Sequence, residues 1–480
     1  MKSVTSIIVS GVFWAGLSFA QTKEEQLQAS ALQESSEKFL LLRATTPLNK
    51  TSMPDPAFQQ VLKGVEQLRF TVAQWDVNSQ ETMNWCLGAT EEAQIKAGEV
   101  TTKNQGRVTV EAIKKRCSEL VTHSFEASHA CVQKADTKGR LLWECSVTAR
   151  VTLKKYKATV DAEGKVSFVI DPAFGDGGTK TFWSAGTSSA TDQISAINGA
   201  AFTARLWLER KVRDIDYFQL RSPIVEHKKA TSYFCLSKEI VELDTPFHVL
   251  MPTEEGVKKV GFVKARKLYD GCTLMPRLEE AQKKGEKVEL RPSEAQDIIG
   301  SGKIQAGMTM WEMPSVGLNV GAGVATMPFD WPDLGPGFEI AVEYNLARHI
   351  GISEFHVASH LKFGVYPTTG QQFFRNKRAP VFQGEWGFIK RWYVRRVFFD
   401  LGIFFAHSQA LQKVITSSGE EEFEWKPYAI GGTGQLSLGV QLSPRWIWRL
   451  TGGGRIGTNL FDTAPKDIGI VGGMDFLYNF

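Results

Sequence analysis

Residues 467–480 read DIGIVGGMDFLYNF. Taken in steps of two from the end, Phe480, Tyr478, Phe476, Met474, Gly472, Ile470 and Ile468 are apolar or glycine. The alternate set, Asn479, Leu477, Asp475, Gly473, Val471 and Gly469, is smaller and more polar. A period of two with one apolar face is the signature of a strand. Alone, it fits the last strand of a soluble sheet as well as the closing strand of a barrel, so the residues before it must decide.

Working back to residue 313, seven more alternating segments appear, at 315–328, 337–347, 351–366, 380–390, 393–407, 426–442 and 446–458. With 468–480 they make eight, at about 21 residues per strand and connection, which suits a small transmembrane barrel. The connections alternate between tight (Arg348-His349, Arg391-Trp392, Ser443-Pro444-Arg445) and long (329–336, 367–379, 408–425, 459–467). Short turns on one side and long loops on the other match the periplasmic and extracellular ends of such a barrel.

Sorting by parity separates two faces. One collects Val316, Phe338, Ile340, Val357, Phe363, Trp386, Phe388, Phe399, Ile403, Phe405, Leu436, Leu438, Trp446, Trp448 and Leu450, and is expected to face lipid. Tyr344, Trp386, Trp446, Trp448 and Tyr478 suit an interfacial girdle. The other collects Glu339, Glu343, Glu354, His356, His360, Lys362, Glu385, Arg396, Asp400, Arg449, Arg455 and Asp475. A charge facing lipid at mid-depth costs about 2–4 kcal/mol, whereas an eight-stranded barrel is just wide enough to be filled by its own side chains. These twelve residues are therefore expected to close the lumen as an ion-pair network.

The pattern resembles the eight-stranded outer-membrane barrels of the OmpA and OmpX kind, over about a third of the chain. The resemblance implies an outer-membrane location. It also implies that Phe476, Tyr478 and Phe480 form a C-terminal signal read by the barrel-assembly machinery.

The N-terminus agrees with export. Lys2, an apolar run over 4–17 and the small-x-small site Ser18-Phe19-Ala20 read as a signal peptide over 1–20, with a short membrane anchor as the alternative. Gln21 follows the site where a lipoprotein has Cys. The cysteines Cys86, Cys117, Cys131, Cys145, Cys235 and Cys272 all precede the barrel. In an oxidising compartment they read as disulfides, with zinc as the alternative. Six cysteines allow 15 pairings; the turn at Asp136-Thr137-Lys138-Gly139 points to Cys131 with Cys145, and Cys235 with Cys272, then Cys86 with Cys117, are the next pairs expected.

Between leader and barrel, 21–125 is expected to be mainly helical, with one helix over 58–75 carrying Val61, Val65, Leu68 and Val72, and helical character over 23–42 and 108–121. Residues 126–230 read as α+β, with strands around 142–151 and 165–170, a surface loop at Gly175-Asp176-Gly177-Gly178, and an amphipathic helix over 194–212. Residues 231–312 form a small β domain and linker. Asp244, Pro246, Phe247, Val249, Gly261 and Ala265 give it a pattern similar to SH3-like barrels of envelope assembly proteins. With the helix–strand unit before it, the region is similar to periplasmic domains of flagellar and curli accessory proteins.

The fold class expected is thus multidomain, a helical plus α+β periplasmic region over 21–312 joined to an eight-stranded antiparallel transmembrane β-barrel over 313–480. The charge, 56 basic against 52 acidic residues, gives no reason to expect nucleic acid. Barrel-borne lipid A deacylases use a His-x-Ser pair. Here His407-Ser408 are adjacent and His356 with Ser359 is spaced His-x-x-Ser, so both depart from it. A non-enzymatic anchor is expected, with no cofactor, contacting outer-membrane lipid and one or more periplasmic proteins. A surface adhesin acting through its loops is the alternative, and a lipid A hydrolase a further one.

Overall fold

The computed structural model describes residues 39–43, 47–87, 94–96, 99–102, 106–109, 120–135, 139–160, 166–253, 256–272, 285, 287, 290–328, 334–367, 378–415, 421–459 and 467–480. The signal peptide expected over 1–20 and Cys117 lie outside them.

The first unit contains strands β1 (Phe39–Arg43) and β2 (Leu48–Asn49), helix α1 (Asp55–Leu62), β3 (Phe70–Ala73), helix α2 (Gln80–Leu87), and β4 (Gln94–Lys96), β5 (Glu99–Thr102) and β6 (Gly106–Thr109). The long strands β7 (Leu120–Ala135) and β8 (Leu141–Val160) follow, then β9 (Val166–Ile170), β10 (Thr179–Ala190) and helix α3 (Gln193–Arg213). The main sheet runs β10-β8-β7-β1-β3, with β1 parallel to both of its neighbours. Leu40, Leu41 and Leu42 are fully buried there, as an unbroken apolar run demands of a central parallel strand. Helix α3 starts on an Asp192 cap and lays Ile197, Ala201, Ala204, Leu208 and Val212 into the same core.

This unit corrects the expectation of a mainly helical segment over 21–125. Within it the described part holds two eight-residue helices among strands. The helix expected over 58–75 stops at Leu62, and Phe70–Ala73 is a strand. Val61 and Val65 do share a buried face. The β-branched pair Thr71 and Val72 instead pairs with Leu40 and Leu41 of β1, which outweighs the helical spacing. Likewise Phe39–Arg43 and Gly106–Thr109, both within segments expected to be helical, are strands. Cys131 and Cys145 stand opposite each other in the β7–β8 register and are joined by a disulfide.

The second unit is a closed barrel of β11 (Arg221–Lys228), β12 (Thr231–Phe234), β13 (Pro246–Thr253), β14 (Gly256–Lys267), β15 (Ser293–Ile299) and β16 (Thr309–Glu312), in the order β11-β12-β15-β14-β13-β16. It begins at Arg221, ahead of the boundary expected at 231, because β11 closes the cylinder against β16. A disulfide joins Cys235 to Cys272.

The third unit comprises β17 (Leu318–Pro328), β18 (Leu334–Asn345), the single turn α4 (Ala347–Ile350), β19 (Phe355–Pro367), β20 (Arg378–Val394), β21 (Val397–Ile415), β22 (Glu421–Gln441), β23 (Trp446–Asn459) and β24 (Asp467–Asn479). Each strand pairs antiparallel with the next, and β24 returns to β17 with Asn479 opposite Asn319, closing an eight-stranded barrel. Its outward face is apolar on every strand. Val324, Phe338, Phe363, Phe388, Ile403, Leu436, Ile456 and Phe476, one from each, are all exposed. Val316, assigned by parity to this face, precedes β17 and is buried.

Candidate functional site

Because successive strand residues point to opposite faces, the residues alternating with that apolar surface fill the lumen. They form layers. Nearest the short-turn rim, Arg391 grips Asp400 with two bonds of 2.8 Å and reaches Glu343 at 3.2 Å. Arg449 bonds Asp475 and Glu343 and lies 3.5 Å from Asp400. In the middle, Glu385 accepts from Lys362 (2.9 Å), Gln383 (2.6 Å), Gln435 (2.8 Å) and Thr433 (3.3 Å). His360 lies 3.1 Å from Glu339 in the same layer. Toward the long loops, Arg455 donates to the Ser408 hydroxyl at 2.9 Å. Arg391, Arg449 and Arg455 are among the largest fully buried side chains of the described residues. Buried charges are tolerated when paired and hydrogen-bonded, and the rim and middle layers meet that condition.

Of the twelve residues expected here, eleven are buried. Glu354 sits in the turn before β19, at the rim, with His356 3.1 Å from it. Arg396 is the exception, exposed in a turn. The tight connection expected at Arg391-Trp392 instead falls at Arg395-Arg396, where Arg395 takes a left-handed φ of 56°. Strand β20 therefore continues to Val394 and carries Arg391 inward. The signal was present: Ile389, Arg391 and Tyr393 continue the inward parity of Glu385 without a break.

Among the described outward side chains of the strands, the one charge is Lys390, whose ammonium reaches the Ser353 carbonyl at the rim. The two His–Ser pairs are split by the wall. Ser408 points inward to Arg455 while His407 stacks outside on Trp386, with ring centroids 4.9 Å apart. His356 points inward, and Ser359, of opposite parity, points outward. Neither pair is assembled as a nucleophile and base.

The short-turn rim is capped by the second unit. Phe262 and Ile298 of the small barrel pack with Ala341, Tyr393, Phe398, Ile447 and Leu477 of the large one, forming a shared core across its mouth. Phe398 fits because Gly439 faces it; a Cβ there would lie 2.1 Å from the ring. Polar contacts ring this core. Lys264 bonds Glu354 at 2.7 Å, and Arg266 bonds Glu354 at 2.9 Å and Ser353 at 2.8 Å. Asp244 accepts from Asn345 (2.9 Å), Ser353 (2.6 Å) and Arg266, and Gln296 donates to the Tyr393 carbonyl at 2.9 Å.

A second cluster joins all three units. Arg69 and Arg213 with Glu209 come from the first, Glu242 and Glu312 from the second, and Arg348 from the third. Arg69 holds Glu312 bidentately at 2.7 Å, Arg213 bonds Glu242 and Glu209, and Arg348 bonds Glu209 and the Val316 carbonyl. Three guanidinium groups face three carboxylates. Burial by itself raises the Glu242 carboxyl, but Arg213 and Arg348 beside it prevail and hold it at about 2. Nothing in the sequence marks these residues, since they are far apart in the chain and follow no period.

No family model matches the chain, and no curated protein matches it. Among solved structures it is similar to the crystal structure of Neisserial surface protein A, at 13% identity over 34% of this chain and 96% of that one, with a TM-score of 0.25. Ail, the attachment invasion locus protein of Yersinia pestis, gives 11% identity over 34% and 95%, with a TM-score of 0.22. OmpT, an outer membrane protein of Vibrio cholerae, gives 10% over 81% and 100%, with a TM-score of 0.15.

Proposed function

We propose that the chain is an outer-membrane barrel protein that anchors a rigid periplasmic body and does no chemistry of its own. The observation that carries this is the partition of the third unit. Its outward face is apolar on all eight strands, and its buried charges lie on the inward face, most of them in ion pairs. A soluble barrel gains nothing from so large an exposed apolar surface, which marks a membrane or partner contact. Strand β17 begins on the short-turn rim, where the second unit docks, and this supports a periplasmic position for the first two units. Their docking on that rim through a shared core and a three-way ion cluster supports a part held in fixed orientation within an envelope-spanning assembly. A site-specific photo-crosslinker on the exposed face of β8, at Thr152, in intact cells tests the role. Discrete periplasmic adducts are expected, and their absence counts against it.

One observation favours a surface role as a second reading. The β21–β22 hairpin continues to Ile415 and Glu421, past the residues that pair with β20 and β23, and so projects beyond the wall on the long-loop side. Removing 411–425 leaves assembly intact in either reading. It abolishes binding of cells to a surface partner only if the hairpin is the ligand-bearing part.

A further inference from the structure

Two faces of helix α3 are already occupied. Ile197, Ala201, Ala204 and Leu208 enter the core of the first unit, while Glu209 and Arg213 enter the three-way ion cluster. Two further side chains, about 140° apart around the helix, reach the outside of the large barrel. Phe202 packs edge-on against Tyr344 of β18, with ring centroids 5.6 Å apart, and Trp207 packs edge-on against the terminal Phe480, at 5.8 Å. From residue 202 to 207 a helix rises ~7.5 Å. From β24 across β17 to β18 is two strand spacings, ~10 Å. The helix therefore runs along the rim, tangential to the wall, across three strand ends.

Phe480 continues through Tyr478 to Trp446, at 4.8 and 5.0 Å, and these last two stand at outward positions of the wall. Trp207 thus extends a ring of aromatics that belongs to the membrane-facing surface. Beside them lie guanidinium groups. Arg210 sits 5.2 Å over the Phe480 ring and Arg445 5.9 Å over the Tyr478 ring. Arg210 has a loose pairing with Asp214 at 3.9 Å, and Arg445 donates to the Asn479 carbonyl.

We infer that the rim surface made by Arg210, Trp207, Arg445 and Phe480 is a binding surface for anionic phospholipid headgroups of the periplasmic leaflet. The inference rests on the outer-membrane reading above. Two features fix the occupant: the surface is continuous with the apolar wall, and its charge complements a headgroup phosphate. Amphipathic helices with arginine and tryptophan at the interface bind anionic leaflets in this way. The helix thereby couples the periplasmic body to the membrane as well as to the barrel.

The test uses the full chain purified in detergent micelles doped with either dioleoyl-phosphatidylglycerol or dioleoyl-phosphatidylcholine, with retained lipid counted by native mass spectrometry. Phosphatidylglycerol is expected to be retained in preference. Each of R210Q and R445Q should weaken that retention about fivefold, the contribution of one cation near an anionic surface. R210K with R445K should keep it. Equal retention of the two lipids, or undiminished retention by the double glutamine variant, overturns the inference. Heat-modifiable migration, recorded on the same samples, keeps the two readings apart. Its loss in the wild type defeats the membrane reading, while its presence with equal retention defeats this one alone.

Discussion

Arg391 and Asp400 stand directly opposite each other on β20 and β21 and are joined by two hydrogen bonds of 2.8 Å inside the barrel. Removing one partner leaves the other charge buried. Asp400→Ala is expected to cost about 3–5 kcal/mol. The measurement is the temperature at which the compact gel band converts to the unfolded one. Replacing both residues by apolar ones of similar size should recover much of the loss. An Asp400→Ala variant as stable as the wild type would show that Glu343 alone satisfies Arg391.

Ile403 is exposed on the outward face of β21. In a bilayer, Ile403→Arg places a charge in lipid, at about 2–4 kcal/mol if near the midplane. In water it would be close to neutral. Fractionation should show a reduced yield of heat-modifiable protein in the outer membrane. An unchanged yield argues that this face does not meet lipid.

Glu242 gives a pH dependence with a definite sign. Its folded carboxyl is held at about 2, against about 4.3 in an unfolded chain. A depressed carboxylate contributes stability above the unfolded value and loses it as pH falls toward the folded one. The body formed by the first two units should therefore become more protease-sensitive between about pH 4 and pH 2. The stability difference between wild type and Glu242→Gln should shrink over the same interval. A difference that stays constant with pH would remove Glu242 from the cluster's energetics.

The Cys235–Cys272 disulfide closes a 37-residue separation, and Cys131–Cys145 closes 14. Chain-entropy arguments give losses of about 4 and about 3 kcal/mol on removing them. Cys235→Ser with Cys272→Ser should therefore lower the urea midpoint of the small barrel, followed by the fluorescence of buried Trp311. The barrel of β17 to β24, which contains no cysteine, should keep its gel shift.

The alternation of residues 380–390 was enough to say which of their side chains turn inward, because a strand has two faces and no third choice. The same rule placed Glu343, Glu385, Arg449 and Asp475 together before any coordinates. It misplaced Arg396, since a hairpin's turn depends on which residue can adopt a left-handed φ, and Arg395 was not a residue to suspect. The segment 58–75 misled for the opposite reason. Its helical spacing was real as far as Val65, but the strand after it exists because Leu40 and Leu41 lie alongside.

The sequence by itself determined the barrel, its polarity and its filled interior, because those follow from a local period of two and the cost of exposing charge to lipid. The tertiary structure alone decided that Phe262 and Ile298 cap the mouth, that Arg69, Arg213 and Arg348 meet three glutamates from different units, and that α3 lies along the rim. Those contacts join residues as far apart in the chain as Trp207 and Phe480. Their energy depends on shape and charge brought together in space, and no periodicity along the chain records it.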